Sequence, residues 1–420
     1  MKLGDLLAVL VCVSLALSDI AEARDAASLP ASRPAGEAVS SPGNRTIRVR
    51  LMAGLTELQV MLPGGFDLVD PLNNALLCRV PTAGGDLPVM FDEDATAFPS
   101  LEKAFPNGVI DLVPHSHEAV TVRFGEKSRR FLGRLRFLRT EEGSGSLLNV
   151  VDIEAYLVAV VAGELDRRFH RETFRAQAIA ARTYAWYQKR TVGQRRSWDV
   201  TASEGSQVYL GQDRSDEVPG ASLAVHATRG LVCTWKSESG WRIFCTYYGS
   251  ACGGSTQSAD AIRAGSAIQP LAGDVQCEHC RSAPGFVWGP VRIAKADLTD
   301  RLRDRYERFR DIGEIERVKI VRKTSSGRPV SMAFFDEQER RIVLEAENFR
   351  LAVDPTGRVF RSTLCRLTDE GEAILLEDGR GFGHGVGMCQ FGAEGLARKG
   401  LNAGGILEFY YPGSRVKRAY

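Results

Sequence analysis

The sequence GRGFGHGVGMCQFGAEGLARKG, residues 379–400, is the stretch from which the fold of this chain is best approached. Its glycines are interleaved with large apolar residues such as Phe382 and Val386, whereas a flexible linker combines glycine with serine. The pattern therefore predicts a shaped loop, whose backbone adopts unusual conformations or approaches another group closely. His384 stands between two of these glycines. It is interpreted either as a hydrogen-bonded structural group or as part of an active-site wall.

The bulk composition indicates a globular protein. The chain has 420 residues, of which 44% are hydrophobic and 25% charged, and its formal net charge is +2. This length allows two or three domains with sizeable cores. The nearly balanced charge gives no indication of a nucleic-acid partner or of a strongly charged one.

The first residues have the pattern of a secretory signal peptide. Lys2 precedes an apolar run from Leu6 to Leu17, and Ala21-Glu22-Ala23 fits a cleavage site, which predicts a signal peptide over residues 1–23. The run is too short for a good transmembrane helix, and no later segment is apolar enough to be one. Residues 24–44 are rich in Ala, Ser, Pro and Gly and predict a disordered linker. The mature chain is therefore expected to be exported.

The remaining sequence predicts an α+β protein. Residues 45–146 contain short alternating apolar runs that end at glycine, typical of strands, and form a β-rich N-terminal region. From Asp152 the pattern DIEAYLVAVVAGEL predicts a helix with Asp152 as its N-cap and a break near Gly163. WDVTAS and QVYLG, residues 198–203 and 207–211, predict further strands. A mixed α/β part follows, in which residues 290–378 form an α/β subdomain.

Glu164 is the first candidate for chemistry. It stands at the predicted helix end, beside the apolar residues Val160, Val161 and Leu165. Partial removal from water raises the pKa of a carboxyl group, which suits a general acid at neutral pH. A solvated glutamate at a helix end is the alternative, and spacing alone favours it.

Four cysteines lie close together in the sequence. Cys277 and Cys280 form a C-x-x-C motif, and Cys245 and Cys252 precede it. This pattern is consistent with a tetrahedral zinc site, although the first pair is widely spaced for a zinc knuckle. Disulfides are equally natural in an exported protein, so the chemistry alone leaves both alternatives open.

Five segments of the sequence carry a family resemblance. In chain order they are VVDIEAYLVAVVAGEL, ETFRAQAIAARTYAWYQ, CTYYGSACGGSTQSAD, GRGFGHGVGMCQFGAEGLA and ILEFYYPGS. Together they resemble the SpoIID/LytB family, also called the stage II sporulation protein D family. The resemblance covers residues 147–420 and implies one catalytic domain with a single cleft, to which the β-rich region, the helical segment and the mixed α/β part all contribute.

The resemblance implies a lytic transglycosylase that acts on the glycan strands of peptidoglycan. The family's catalytic glutamate matches Glu164, which would protonate the glycosidic oxygen and then deprotonate the muramic acid 6-hydroxyl. A 1,6-anhydro end results, and no second carboxylate is needed to activate water, in contrast to ordinary glycoside hydrolysis. The family often has Met-Pro after the glutamate, where this chain has Leu165-Asp166. The implied location is the periplasm or the cell envelope.

The resemblance also implies the supporting residues. Family members commonly have a metal-associated histidine where this chain has Gly249, and some pair a C-x-x-C motif with the cysteine of the GMCQ segment. We therefore expect a zinc ion, with Cys245 and His384 as reserve ligands. The predicted metal ligands are Cys252, Cys277, Cys280 and Cys389. The predicted catalytic residues are Glu164, Arg182, Tyr184 and His384. The predicted glycan-binding residues are Gln177, Tyr247, Tyr248, Ser250, Gly383, Gly385 and Gln390.

A second function fits the same resemblance. Some family members are described as enhancers of a cell-wall amidase, so the alternative is a glycan-binding protein that stimulates another enzyme without cleaving glycan itself. Both hypotheses name peptidoglycan strands as the binding partner, and the second adds a cell-wall amidase. The resemblance says nothing about whether the host forms spores.

Overall fold

The computed structural model describes residues 45–420, except 83–84, 141, 204–205 and 264. The predicted signal peptide and linker therefore lie outside the described residues. Helices and strands are both abundant, and the strands predominate in the first part of the chain, which confirms the predicted α+β class. No helix in the described part of the chain is both long and apolar enough to cross a bilayer.

The described residues divide into two compact units. The N-terminal unit comprises residues 45–232, 243–245 and 418–420. The C-terminal unit comprises residues 233–242 and 246–417. Each unit is described by itself below.

The N-terminal unit contains two β-sheets. One has seven strands in the order β13-β1-β12-β11-β8-β3-β4, and the other has six in the order β10-β9-β2-β5-β6-β7. Strand neighbours are antiparallel except β1 and β13, which run parallel. The strands are β1 (Thr46–Leu55), β2 (Glu57–Leu62), β3 (Phe66–Asp70), β4 (Ala75–Val80), β5 (Gly85–Phe91), β6 (Thr96–Phe98), β7 (Lys103–Phe105), β8 (Val109–Pro114), β9 (Val120–Phe124), β10 (Lys127–Phe131), β11 (Arg134–Arg139), β12 (Gly145–Asp152) and β13 (Val200–Thr201).

Alternating burial shows where the core of this unit lies. Along β2 every second side chain is buried, as expected for a strand with one face on the core. Phe98 of the six-stranded sheet packs edge-on against Phe137 of the seven-stranded sheet, with ring centroids 5.8 Å apart. The two sheets therefore share one apolar core.

Four helices complete the N-terminal unit. Strand β12 leads directly into the first, and the Asp152 side chain accepts a hydrogen bond of 2.9 Å from the Glu154 N–H, so the predicted N-cap is confirmed. Apolar residues surround this helix, and it is buried on nearly all sides rather than on one face. The helices are α1 (Ile153–Glu164), α2 (Arg171–Arg190), α3 (Asp213–Glu217) and α4 (Pro219–Ala227).

The prediction of a strand at QVYLG is wrong. Residues 207–211 belong to no sheet, although Gln207 and Tyr209 are buried as alternation requires. The backbone N–H of Val208 donates to the Glu164 carboxylate instead of to a neighbouring strand. Of the WDVTAS segment, only Val200–Thr201 forms a strand. Side-chain burial therefore alternates along residues 207–211 although no strand pairs with them. The end of the first helix occupies the position that a neighbouring strand would have.

The C-terminal unit consists of small sheets joined by loops. Three sheets have three strands each, in the orders β15-β14-β26, β18-β23-β22 and β19-β20-β21, and two more are the pairs β16-β25 and β17-β24. The helices are α5 (Lys295–Arg305), α6 (Ala346–Val353), α7 (Gln390–Arg398) and α8 (Ala403–Tyr410). The strands are β14 (Leu231–Ser237), β15 (Gly240–Ile243), β16 (Tyr248–Gly249), β17 (Val287–Trp288), β18 (Val291–Ala294), β19 (Ile315–Lys323), β20 (Pro329–Asp336), β21 (Arg341–Glu345), β22 (Arg366–Asp369), β23 (Ala373–Glu377), β24 (Gly379–Arg380), β25 (Met388–Cys389) and β26 (Ser414–Arg418).

A separate core forms within the C-terminal unit, between Trp288 and Leu376. Phe334 of β20 contacts Phe309 and Phe349 at centroid distances of 5.6 and 5.5 Å, which places helix α6 against the sheet. We call residues 288–376 the core subdomain. The glycine-rich stretch 379–400 follows it immediately.

Candidate functional site

Glu164 is the last residue of α1, and the backbone fixes one of its oxygens. Its Oε1 accepts a hydrogen bond of 3.0 Å from the Val208 N–H. The residue before it, Gly163, lies so close to this segment that an added Cβ would come within 3.1 Å of the Val208 carbonyl oxygen. The glycine thus allows residues 207–210 to pack against the helix end, and the packing orients the carboxyl group.

Two buried tyrosines lie close enough to Glu164 to interact with it electrostatically. They are Tyr156 of α1 and Tyr184 of α2, and burial raises the pKa of both phenols well above the ordinary value. Both phenols therefore stay protonated and neutral. The Tyr156 hydroxyl donates to Gln207 Oε1 at 3.0 Å, which ties the tyrosine to the segment that anchors Glu164. Glu164 and the predicted catalytic residue Tyr184 are thus brought together.

Gln177 lies on the same face of α2 as Tyr184, two turns earlier. It is fully buried, and neither polar atom of its amide has a hydrogen-bond partner among the described residues. A buried amide without partners is uncommon and requires an explanation. An amide without partners agrees with the prediction that Gln177 binds glycan. A glycan would reach Gln177 only if the residues that bury it moved.

Arg182, a predicted catalytic residue, lies entirely inside the N-terminal unit. Its guanidinium forms two hydrogen bonds with the Glu154 carboxylate, at 2.9 Å from Nε and 2.7 Å from Nη2. Its other donors reach backbone carbonyls of Val225 and Leu231. The Tyr420 hydroxyl also donates to Glu154. The structure therefore gives Arg182 a network that ties α1, α2 and residue 420 together.

The Glu154 carboxylate is held ionised by this network. Burial alone raises the pKa of Glu154, but the hydrogen bonds and the positive charge of Arg182 outweigh burial and bring the pKa below its ordinary value. A carboxyl group with a lowered pKa stabilises the fold at neutral pH and loses that contribution as the pH falls through the folded-state pKa.

The substitution Glu154→Gln is expected to lower the free energy of unfolding at pH 7 by about 3 kcal/mol, because it leaves the buried Arg182 charge without a partner. Urea denaturation measures the change. The difference from wild type should shrink as the pH falls below the ordinary glutamate range and through the lowered pKa of Glu154. Glu172→Gln is the matched control, since Glu172 pairs with the half-exposed Arg175, and it should cost under about 1 kcal/mol. Equal losses in both variants would contradict the prediction.

His384 lies in the C-terminal unit, and both sides of its ring contact the backbone. Its Nδ1 accepts a hydrogen bond of 2.9 Å from the Val386 N–H, so the proton of the neutral ring is on Nε2. The ring also hydrogen-bonds to the backbone of Tyr248. Burial lowers the pKa of His384, which keeps the ring neutral. This arrangement links the glycine-rich loop to β16, so the His384 ring has a structural role.

Most of the predicted glycan-binding residues gather around this histidine. Strand β16 runs parallel to β25, with Tyr248 opposite Met388, and the Tyr247 ring meets the His384 ring edge-on at 6.2 Å. The glycines bring two chain segments together: an added Cβ at Gly387 would lie 1.9 Å from the Tyr247 carbonyl oxygen. The other members are Ser250, whose carbonyl accepts from the Phe391 N–H; Gly383, whose Cα faces open space; Gly385, whose carbonyl accepts from the Gln257 N–H; and Gln390, which is buried at the start of α7.

The four predicted metal ligands form one buried cluster. The sulfur atoms of Cys252, Cys277, Cys280 and Cys389 all lie within 4.8 Å of one another, and all four thiols are free. The Sγ atoms of Cys252 and Cys280 are 3.8 Å apart. Tetrahedral zinc with Zn–S bonds of about 2.3 Å separates its sulfur ligands by roughly this distance. The set therefore fits a tetrahedral thiolate site. His384 and Cys245, the reserve ligands, are not part of the cluster.

Local structure prepares the cluster for negatively charged sulfur. Cys389 caps α7, and its Sγ accepts hydrogen bonds from the backbone N–H groups of Cys252 at 3.3 Å and Gly392 at 3.4 Å. Hydrogen bonds from Cys252 and the other thiols lower the pKa of Cys277, whereas burial raises that of Cys389. An added Cβ at Gly392 would lie 2.5 Å from Cys277 Sγ, so only glycine fits there. The two N–H donors and the absent Cβ at residue 392 thus leave room for four close sulfurs and can stabilise negative charge on one of them.

Comparisons with known proteins follow the same segments. The family model described as SpoIID, stage II sporulation protein, matches residues 141–235, which include Glu164 and Arg182. Stage II sporulation protein D of Bacillus subtilis is 25% identical over 82% of this chain and 93% of its own length. Residues 141–235 therefore form a SpoIID-family domain.

Other relatives are similar over smaller parts of this chain. An uncharacterized protein of Brachyspira hyodysenteriae is 28% identical over 64% of this chain and 67% of its own length. A protein of Bacillus subtilis named amidase enhancer is 23% identical over 62% of this chain but only 40% of its own length. A second family model, described as a domain of unknown function (DUF8618), matches residues 279–387 and so includes the core subdomain.

Sequence reasoning missed the partner of Arg182. Glu154 is the one charged residue in α1 before Glu164, within a helix that is otherwise apolar. Because such a helix is buried, a charged residue on it requires an opposite charge. The all-round apolar pattern was the signal that could have identified Glu154 as a buried ion-pair partner.

Proposed function

We propose that this protein is an exported lytic transglycosylase that cleaves peptidoglycan glycan strands with Glu164 as its acid and base. The observation that carries the proposal is the placement of Glu164 at the end of α1, with Oε1 anchored by the Val208 N–H. Family membership and the similarity to stage II sporulation protein D support a role at the cell wall.

The proposed reaction needs only one carboxyl group. Glu164 gives its proton to the oxygen that joins C1 of the muramic acid unit to the glucosamine, and that C–O bond breaks. The 6-hydroxyl of the same muramic acid then attacks C1 while the Glu164 carboxylate takes its proton. The new C1–O6 bond closes the anhydro ring and restores the starting acid, so no water is consumed. In this proposal Tyr156 and Tyr184 add no charge beside Glu164, because their phenols stay neutral.

We also propose that the four-cysteine cluster holds a zinc ion with a structural role. When bound, the zinc would supply a covalent cross-link between the loops that carry the cysteines, since four protein ligands leave no open position for catalysis. The close spacing of the four sulfurs, their burial and the N–H···S hydrogen bonds support this ion. The predicted signal peptide supports an envelope location for the whole chain.

Digestion of purified peptidoglycan tests the proposed activity. The pure protein is expected to release muropeptides that end in 1,6-anhydro-muramic acid, which mass spectrometry distinguishes from hydrolysed ends by the mass of one water. Glycan with and without stem peptides should be compared. Products with reducing ends would contradict the transglycosylase mechanism, and intact glycan would contradict the enzymatic proposal.

The second candidate function is a glycan-binding enhancer of a wall amidase. The similarity to the amidase enhancer of Bacillus subtilis favours it. This candidate predicts that the pure protein binds peptidoglycan, releases no anhydro products and raises the rate of an added wall amidase. The same digestion with and without amidase therefore separates the two functions.

A further inference from the structure

Arg328 is the one fully buried arginine of the described chain that has no carboxylate partner. It lies in the turn between β19 and β20 of the core subdomain, with no side-chain exposure. Arg182, equally buried, pairs with Glu154, and the nearly buried Arg350 pairs with Glu347 at 2.7 Å. None of the ion pairs within the described residues includes Arg328. A buried cation without a counter-charge is strongly unfavourable, so an anion is expected nearby.

The contacts of Arg328 lead to the cysteine cluster. Its Nη2 donates to the backbone carbonyl of Cys252, and its Nη1 lies 3.4 Å from the Thr363 hydroxyl. Its Nε has no hydrogen-bond partner among the described residues. An added Cβ at Gly385 would lie 2.9 Å from Nη2, so the glycine-rich loop covers the guanidinium. The cation is thus sealed beside the first cysteine of the cluster.

The cysteine cluster is a source of negative charge close to Arg328. Four thiolates around a divalent zinc ion carry a net charge of about −2, and the site is buried. Cys252 and Glu347 both lie close enough to Arg328 to interact with it electrostatically. Glu347 already forms its ion pair with Arg350. The thiolate cluster is the remaining source of negative charge.

We infer that Arg328 is the counter-charge of the proposed zinc centre and that it makes zinc binding depend on the docking of the core subdomain. The inference rests on the zinc proposal above. Arg328 acts as a positioning residue, because it holds the Cys252 backbone and balances the charge of the cluster without binding the metal. The neighbouring Ser325 hydroxyl donates to Asp274, so the same turn also contacts the loop that leads to Cys277. Metal binding and the position of this turn should therefore be coupled.

Two substitutions separate the charge of Arg328 from its volume. Arg328→Met removes the charge and keeps much of the bulk, whereas Arg328→Lys keeps the charge. Competition with a chromophoric zinc chelator should show about a 10- to 100-fold loss of zinc affinity for Arg328→Met, the range found when outer partners of metal sites are removed. Arg328→Lys should lose less. Arg366→Met is the matched control, since Arg366 is exposed in the same subdomain, and its zinc affinity should be that of wild type.

Stability without metal distinguishes a counter-charge from a packing residue. A packing residue stabilises the zinc-free protein, so its loss lowers Tm in the chelator. An unpaired buried charge destabilises the zinc-free protein, so apo Arg328→Met should melt at the temperature of apo wild type or above. Zinc-bound Arg328→Met should melt below zinc-bound wild type. A lower Tm in the apo form with unchanged zinc affinity would overturn the inference.

Hydrogen exchange of the wild-type protein supplies a test that does not depend on the folding of a variant. Removal of zinc should accelerate amide exchange in residues 324–330, because their anchor at Cys252 is weakened. Exchange that is the same with and without zinc would overturn the coupling. If wild type binds no zinc, the zinc proposal and this inference fall together. If wild type binds zinc and both Arg328 variants bind it equally well, the inference alone falls.

Discussion

Replacement of Glu164 by glutamine is expected to lower the rate of anhydro-muropeptide release by about 10³-fold or more. Glutamine keeps the size of the side chain and can still accept a hydrogen bond from the Val208 N–H. It has no proton to give to the glycosidic oxygen and cannot take one from the 6-hydroxyl. General acid–base catalysis contributes about 10²- to 10⁴-fold, and here one residue performs both steps. Rates of product release from purified glycan strands measure the change.

A matched control isolates the chemistry from the local fold. Asp166 lies two residues after Glu164, and its carboxylate forms a local ion pair with the exposed Arg168 at 2.7 Å. Asp166→Asn therefore changes the same charge in the same segment and should alter the rate less than about threefold, as expected for a surface pair. Unchanged release in Glu164→Gln would exclude Glu164 as the acid. Equal loss in both variants would indicate damage to the helix end instead.

The start and end of α1 could be predicted because both depend on local chemistry. Asp152 caps the helix through its own side chain, and Gly163 weakens its last turn, so neighbouring residues are sufficient for the prediction. The same local reasoning failed at residues 207–211. There the alternation of buried side chains was real, but the backbone partner of Val208 is the Glu164 carboxylate, more than forty positions earlier. Periodicity does not identify the partner.

The cysteine cluster shows a different limit of prediction from sequence. The motif spacing alone left zinc and disulfides open, and the four residues were chosen through a family resemblance. The structure brings those four sulfurs together, which no local pattern requires. Arg328 was not anticipated, because it approaches Cys252 from a separate subdomain, 76 positions away. The burial of Arg328 is set by long-range packing, and a single sequence carries no signal for it.

The substitution Cys389→Ser is expected to abolish stoichiometric zinc binding and to lower Tm by about 10 °C. Serine is a good N-cap, so α7 should still form and the capping contact with Gly392 can be kept. The hydroxyl does not replace a thiolate as a zinc ligand. Zinc present at about 1,000 times its Kd stabilises a protein by about 4 kcal/mol. In a domain of this size each kcal/mol changes Tm by roughly 2–4 °C.

Chelation and a second cysteine make this prediction specific. Cys365 is half-buried outside the cluster, so Cys365→Ser should keep its zinc and lose under about 1 kcal/mol of stability. A chelator should lower the Tm of wild type and Cys365→Ser by the same amount and leave Cys389→Ser unchanged, because that variant has no zinc to lose. Metal analysis and thermal melts of the three proteins measure both effects. Wild-type protein that contains oxidised cluster cysteines and no zinc would contradict the metal centre, since two disulfides would then cross-link the same loops.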